Sequence, residues 1–358
     1  MKKNPYRPFF GEEPIQVIPR NTEITNIIED ITSDQPERKS TLIIGVRGSG
    51  KTVLMNEVAE TLQENPKWIV IRLNPERKIL DDLMHKMASN KHMYEALHIS
   101  KINLSFFGIG VELSDAPQIT KVEVAIQEML NWMKKKKMRL LVCIDEISNR
   151  PQVREFLSSY QIFLGEGLPV FLLCTGLYEK IEKLKNEEHM TFLYRMPRIE
   201  PKALSVSAMA RNYVDNLEIS ADTAYKMARM TKGYSFGFQA LGYFCFQDVA
   251  ENKSLNIDRV IPLFREKLET DAYEKIWSDM SEKDRELAAA ISKAKNGKIS
   301  EMIEASGWDS KYLNQYRKRL VRCGVASVQP RGYLEFSLPY FTEFLRENIG
   351  IEADGEES

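Results

Sequence analysis

Gly45-Val46-Arg47-Gly48-Ser49-Gly50-Lys51-Thr52 is the stretch whose reading decides this chain. Two glycines bracket four residues, and Lys51 and Thr52 follow. The apolar run at 41–45 precedes it, and a pattern of helical period follows from Lys51 to about Leu62. A strand, a glycine-rich turn and a helix in that order form a phosphate-cradling loop. Glycines let backbone N–H groups turn inward around phosphate oxygens without a Cβ clash. The helix beginning near Lys51 points its positive end at the anion. Lys51 is placed to reach the β and γ phosphates of ATP, and the Thr52 hydroxyl to hold Mg²⁺. The candidate nucleotide contacts are therefore Gly45, Val46, Arg47, Gly48, Ser49, Gly50, Lys51, Thr52 and the adjoining Val53.

Further along, Leu140-Leu141-Val142-Cys143-Ile144-Asp145-Glu146 is an apolar strand ending in two acids. In an open parallel sheet, such carboxylates lie at the strand ends where a nucleotide binds. Asp145 is the candidate Mg²⁺ ligand, directly or through water. Glu146 is the candidate base that orients and deprotonates the attacking water. A third apolar run at 170–174 ends in Thr175, which could touch the γ-phosphate or that water. Asn74, after the run at 68–73, is read either as a turn residue or as a hold on Glu146.

The continuous apolar runs alternate with helical patterns, which predicts an α/β core with a parallel sheet covered on both faces. Proline and aromatic residues crowd residues 1–20 and predict an extended lead-in that packs on something. Residues 101–114 predict a hairpin with glycines at its turn. Lys134–Lys137 end a helix, where cations favour its dipole. After residue 200 strand signals fade and helices are expected. The predicted organisation is a core over 1–200, a helical lid over 201–270, a C-terminal unit over 271–350 and a disordered acidic tail at 351–358.

Composition narrows the remaining classes. The 358 residues carry a formal net charge of −1, so any nucleic-acid surface must be local. The four cysteines include no CxxC pair and predict neither a zinc site nor a disulfide framework. The four histidines are isolated and indicate no metal besides Mg²⁺. No apolar stretch approaches the ~20 residues of a membrane span, and no signal peptide is evident. A cytoplasmic protein is expected, with no membrane partner.

In the C-terminal unit, Ser281 stands three residues before Asp284 as a capping signal. A short helix over 298–305, a turn at Ser306-Gly307 and a longer helix to about Cys323, capped by Asp309 or Ser310, follow, and Gly324 stops it. Two short strands around Pro330-Arg331-Gly332 complete a winged helix-turn-helix pattern. Lys311, Asn314, Gln315, Arg317 and Lys318 on the second helix, with Arg331 at the wing tip, are candidate contacts to duplex DNA. The same module also serves as a protein-interaction or dimerisation surface.

Taken together, GVRGSGKT, the Ile144-Asp145-Glu146 strand end, Thr175, a helical lid and the C-terminal unit resemble the AAA+ superfamily of P-loop NTPases. The likeness lies nearest the origin-recognition initiators and the STAND signalling ATPases. The lead-in Asn4-Pro5-Tyr6-Arg7-Pro8 with Phe10-Gly11, and the box Pro19-Arg20-Asn21-Thr22-Glu23-Ile24, also match that group. The resemblance implies that Arg20 lies near the adenine and that the ATP state favours homo-oligomers. It also implies an arginine in the lid, yet Gly233-Tyr234-Ser235-Phe236-Gly237-Phe238-Gln239 has none. Arg195 and Arg198 are the candidates for an arginine finger. Three functions remain open: a slow or partner-stimulated ATPase coupled to DNA, a STAND-like switch whose ATP and ADP states control assembly, and a nucleotide-binding regulator with negligible hydrolysis.

Overall fold

The computed structural model describes residues 3–9, 11, 14–91, 93, 103–108, 119–294, 297–329 and 332–348. The chain divides into two compact units. A sheet unit comprises Asn21–Ile44 and Lys51–Pro201, and a helical unit comprises Met1–Arg20, Gly45–Gly50 and Lys202–Ser358.

The sheet unit contains, in chain order, α1 (Asn21–Thr32), β1 (Ser40–Ile44), α2 (Lys51–Gln63), β2 (Trp68–Leu73), α3 (Ile79–Ala88), α4 (Val122–Lys135), β3 (Arg139–Ile144), α5 (Pro151–Gly165), β4 (Val170–Gly176), α6 (Tyr178–Lys185) and β5 (Arg198–Ile199). All five strands run parallel in the order β2-β3-β4-β1-β5. Alternate strand residues explain why the runs are apolar throughout. Leu42, Val142 and Leu172 enter one core, shared with Leu80, Ile126 and Phe156 of the covering helices. Their neighbours Ile43, Leu141 and Phe171 enter a second core with Ile27 of α1 and Leu54 of α2. With both faces covered, neither set of alternate positions can be polar.

Two details differ from the sequence expectation. β5 is only two residues long and pairs with Leu42 and Ile43, too short to leave a periodic signal. The hairpin expected over 101–114 falls mostly outside the described residues. Within it, Ser105–Phe107 is a 3₁₀ turn closed by Gly108 at φ 70°.

The helical unit contains α7 (Val206–Leu217), α8 (Ala221–Met230), α9 (Ser235–Asn252), α10 (Ile257–Leu268), a π-helical turn at Glu269–Tyr273, α11 (Glu274–Asp279), α12 (Glu282–Lys293), α13 (Ile299–Ser306), α14 (Ser310–Arg322), the antiparallel pair β6 (Ala326–Gln329) and β7 (Tyr333–Phe336), and α15 (Phe341–Asn348). The expected caps form. Ser281 and Asp284 make a reciprocal capping box, and the Asp309 carboxylate accepts the Tyr312 N–H at 2.8 Å. The lead-in packs through Tyr6, whose ring lies 5.8 Å from that of Tyr213 and 5.7 Å from that of Phe238. A Cβ on Gly242 would fall 2.6 Å from the same ring, so glycine is what admits Tyr6 there. One core runs from Tyr6 and Val46 through Tyr213 and Phe238 to Leu313 and Phe341. Arg331 at the expected wing tip and the acidic tail lie outside the described residues. Among the described residues no helix is long and apolar enough to cross a membrane.

Candidate functional site

In the sheet unit, strand register assembles the polar cluster. Ile144 pairs with Cys174, so the next residues on the two strands, Asp145 and Thr175, become neighbours. The Thr175 hydroxyl donates to Asp145 Oδ1. The Thr52 hydroxyl, on the first turn of α2, donates to Asp145 Oδ2 at 2.9 Å. Each carboxylate oxygen of Asp145 thus has its own hydroxyl donor. The backbone N–H of Glu146 donates to Thr175 Oγ1 at 2.9 Å and to Asp145 Oδ1 at 3.2 Å. Glu146 has φ 53°, a left-handed conformation that costs a residue with a side chain about 1–3 kcal/mol. The two N–H bonds hold it there. Its side chain is exposed, with no bonded partner among the described residues.

Lys51 opens α2 and is buried, whereas Thr52 is exposed and Val53 half-buried. Thr175 is fully buried and its hydroxyl is engaged on both sides. It therefore supports the two acids from within the sheet instead of reaching outward. Burial pushes the Cys143 thiol up to about 12 and the Cys174 thiol well above its usual value. Both stay neutral, as small apolar residues would.

In the helical unit, Gly45 and Val46 are buried and Arg47, Gly48, Ser49 and Gly50 half-buried. Gly48 and Gly50 have φ 74° and 87°, a backbone open to glycine. The Ser49 N–H donates to Val46 O at 3.2 Å, closing the turn. Arg20 grips this loop. Its Nη2 donates to Ser49 O and to Ser235 Oγ, each at 2.9 Å, and its Nε to Lys202 O at 3.0 Å. The lid contacts to the loop, through Tyr234, Ser235 and Phe236, have no sequence motif behind them. Only the glycine at 233 marks the joint.

Of three other candidates, Asn74 and Arg198 take structural places and Arg195 does not. The Asn74 side chain accepts the Glu76 N–H at 2.8 Å, which is a turn bond. Arg198 pairs with Glu182 at 3.6 Å. Arg195 is exposed at the end of a 3₁₀ turn, without a bonded partner among the described residues. On α14, Leu313 and Leu320 face the core, Lys311, Gln315 and Lys318 are exposed, and Asn314 and Arg317 are half-buried. Arg319 turns inward to the buried Asp284, Nε to Oδ2 at 3.0 Å.

The residues fit the groups that the loop implies. A hydroxyl and a carboxylate meeting at Thr52 and Asp145 form an oxygen donor set suited to Mg²⁺, which keeps waters and phosphate oxygens as its remaining ligands. Among the described residues no group of three or more His, Cys, Asp or Glu gathers to hold a metal unaided.

Comparison with known proteins bears on the fold. Residues 18–193 match the family model of an ATPase domain predominantly from Archaea. Residues 270–345 match a domain of unknown function, DUF8462. The chain is similar to a Walker-type ATPase of Pyrococcus abyssi, with TM-score 0.57 and 15% identity over 92% of this chain and 96% of that one. It is also similar to Cdc6p of Pyrobaculum aerophilum, with TM-score 0.48 and 11% identity over 95% and 97% of the two chains. Orc1 of Aeropyrum pernix, solved in complex with DNA, gives 0.40 and 15% over 94% of each. No curated protein matches the chain. Over residues 18–193 the chain thus matches the model of a predominantly archaeal ATPase domain, and its fold is that of a Walker-type, P-loop ATPase.

Proposed function

We propose that this protein binds ATP with Mg²⁺, hydrolyses it slowly or on stimulation by a partner, and couples the ATP or ADP state to duplex DNA through a C-terminal winged helix. The hydrolytic part rests on the Asp145 carboxylate, held between the Thr52 and Thr175 hydroxyls beside an exposed Glu146. Gly48 and Gly50 present backbone N–H groups to phosphates, and Lys51 offsets their charge. Thr52 and Asp145 hold Mg²⁺, which when bound offsets negative charge on the phosphate oxygens. Glu146 orients the attacking water and accepts its proton. No arginine stands in the lid segment 233–239, and the loss of such transition-state charge can cost about 10³ to 10⁵ in rate. Slow turnover by the isolated chain follows. The exposed Arg195 is the candidate to act on a neighbouring copy in an ATP-state homo-oligomer.

The DNA reading rests on the face of α14. Lys311, Gln315 and Lys318 are exposed while the apolar side of the helix packs inward, which leaves the polar side able to meet phosphates and base edges. One observation favours the STAND-like alternative. The C-terminal unit shares its core with the lid, and Lys232 Nζ donates to Phe336 O at 2.9 Å. The test is steady-state ATP hydrolysis at low salt with and without duplex DNA, because phosphate contacts weaken steeply as salt rises. Stimulation by DNA, absent in Glu146→Gln, is the expected result. A rate indifferent to DNA removes the DNA coupling and leaves the signalling switch.

A further inference from the structure

We infer that Tyr234, Ser235 and Phe236, together with Arg20, form a brace on the carbonyl side of the phosphate loop that sets affinity for ATP and ADP alike. The inference rests on the nucleotide-binding reading of that loop. Three consecutive loop carbonyls are tied to three consecutive lid residues. The Tyr234 hydroxyl donates to Arg47 O at 2.7 Å, the Phe236 backbone N–H to Gly48 O at 3.0 Å, and the Ser235 hydroxyl to Ser49 O at 3.0 Å. Arg20 Nη2 adds a second donor to Ser49 O and locks Ser235 Oγ in place. The glycines are shaped to the brace as well as to phosphate. A Cβ on Gly48 would fall on the Tyr234 hydroxyl and 2.8 Å from Phe236 Cβ. One on Gly50 would fall 2.9 Å from Arg20 Nη1 and 3.0 Å from Ser235 Oγ.

The physical consequence follows from peptide planarity. A peptide's N–H points opposite its C=O, so fixing the carbonyl fixes the direction of the N–H in the same plane. Bonds to the carbonyls of Arg47, Gly48 and Ser49 therefore aim the N–H groups of Gly48, Ser49 and Gly50. The Ser49 N–H closes the loop onto Val46. Those of Gly48 and Gly50 make no bond among the described residues and are left for an anion. Donors aimed in advance bind without paying the ordering cost at that moment.

The brace also differs in kind from a lid arginine that touches the γ-phosphate. The Tyr234 and Ser235 hydroxyl protons are committed to loop carbonyls, and Phe236 has no polar side chain. The lid thus reads the shape of the loop, which the β-phosphate shared by ATP and ADP already fixes. Tyr234 is buried, and burial pushes its phenol far above the usual range, so it remains a neutral donor.

The test is the dissociation constant of the full chain for Mg²⁺–ATP and Mg²⁺–ADP by titration calorimetry, in wild type, Tyr234→Phe, Ser235→Ala, Ser235→Thr and Lys51→Ala. Losing one such bond is expected to weaken both nucleotides about five- to tenfold, with their ratio unchanged. Ser235→Thr keeps the hydroxyl and is expected to bind within about twofold of wild type. Because affinity is measured on folded protein, a merely structural role of Tyr234 or Ser235 leaves it unmoved. Wild-type affinity in both Tyr234→Phe and Ser235→Ala, with Lys51→Ala unable to bind, overturns the brace and keeps the loop reading. A loss confined to ATP also overturns it, in favour of direct γ-phosphate contact. Wild-type binding in Lys51→Ala overturns the loop reading itself and the brace with it.

Discussion

The backbone N–H of Glu146 donates to the hydroxyl of Thr175 at 2.9 Å, and that hydroxyl in turn donates a hydrogen bond to Asp145. One buried oxygen therefore orients both acids of the candidate site. Thr175→Val removes it at nearly constant volume. The expected result is a kcat lower by roughly ten- to hundredfold, the range typical of outer-sphere partners, with ATP affinity nearly unchanged. Thr175→Ser should recover most of the rate. Equal rates in the valine and serine variants would remove this role.

Lys51→Ala should lose the nucleotide. For wild type, Mg²⁺–ATP at about 100 times its Kd adds about 2.7 kcal/mol and a clear rise in Tm. The variant should melt at one temperature with or without nucleotide. A retained shift means that phosphates bind elsewhere.

Glu146→Gln keeps size and shape but cannot accept a proton. It should bind ATP as wild type does and turn over about 10² to 10⁴ times more slowly. A variant that hydrolyses at the wild-type rate assigns the base to another residue.

Gly242→Ala sets two effects against each other. Alanine favours a helix over glycine by about 1 kcal/mol. Here, however, the new Cβ would meet the Tyr6 ring at 2.6 Å, and overpacking of this kind costs about 1–3 kcal/mol. The net change should be destabilising, read as a lower denaturant midpoint. In a Tyr6→Ala background the ring is gone, and the same substitution should become neutral or stabilising. If the sign does not change, Tyr6 is not the obstacle.

Asp248 on α9 accepts from Arg259 on α10 at 2.9 and 3.2 Å, and from the Asn256 N–H at 2.7 Å. The Arg259 bond holds its carboxyl below the usual carboxylate range. A depressed folded pKa contributes stability that is fully present above the unfolded value, about 3.9, and lost as pH falls through the folded value. The Tm gap between wild type and Arg259→Gln should therefore be wide at neutral pH and close in acid. A gap constant with pH would show that the carboxylate charge plays no part.

Much of this protein was legible in order along the chain. GVRGSGKT, the apolar runs at 140–144 and 170–174, the acids at 145 and 146 and the caps at Ser281 and Asp309 are local signals. Each depends on neighbours within a few residues, so sequence suffices to specify a phosphate loop, buried parallel strands and helix starts. Tertiary structure decided which distant groups meet. Thr175 carries no mark that separates an outward-reaching hydroxyl from an inward one. Only the pairing of Ile144 with Cys174 turned it onto Asp145. Arg20 and Ser49 are 29 residues apart, and Arg20 and Ser235 are 215 apart. The helical unit alone brings them within one hydrogen bond. Hydrogen-bond partners so far apart are set by how elements pack, and packing depends on the whole core, which no local stretch of sequence displays.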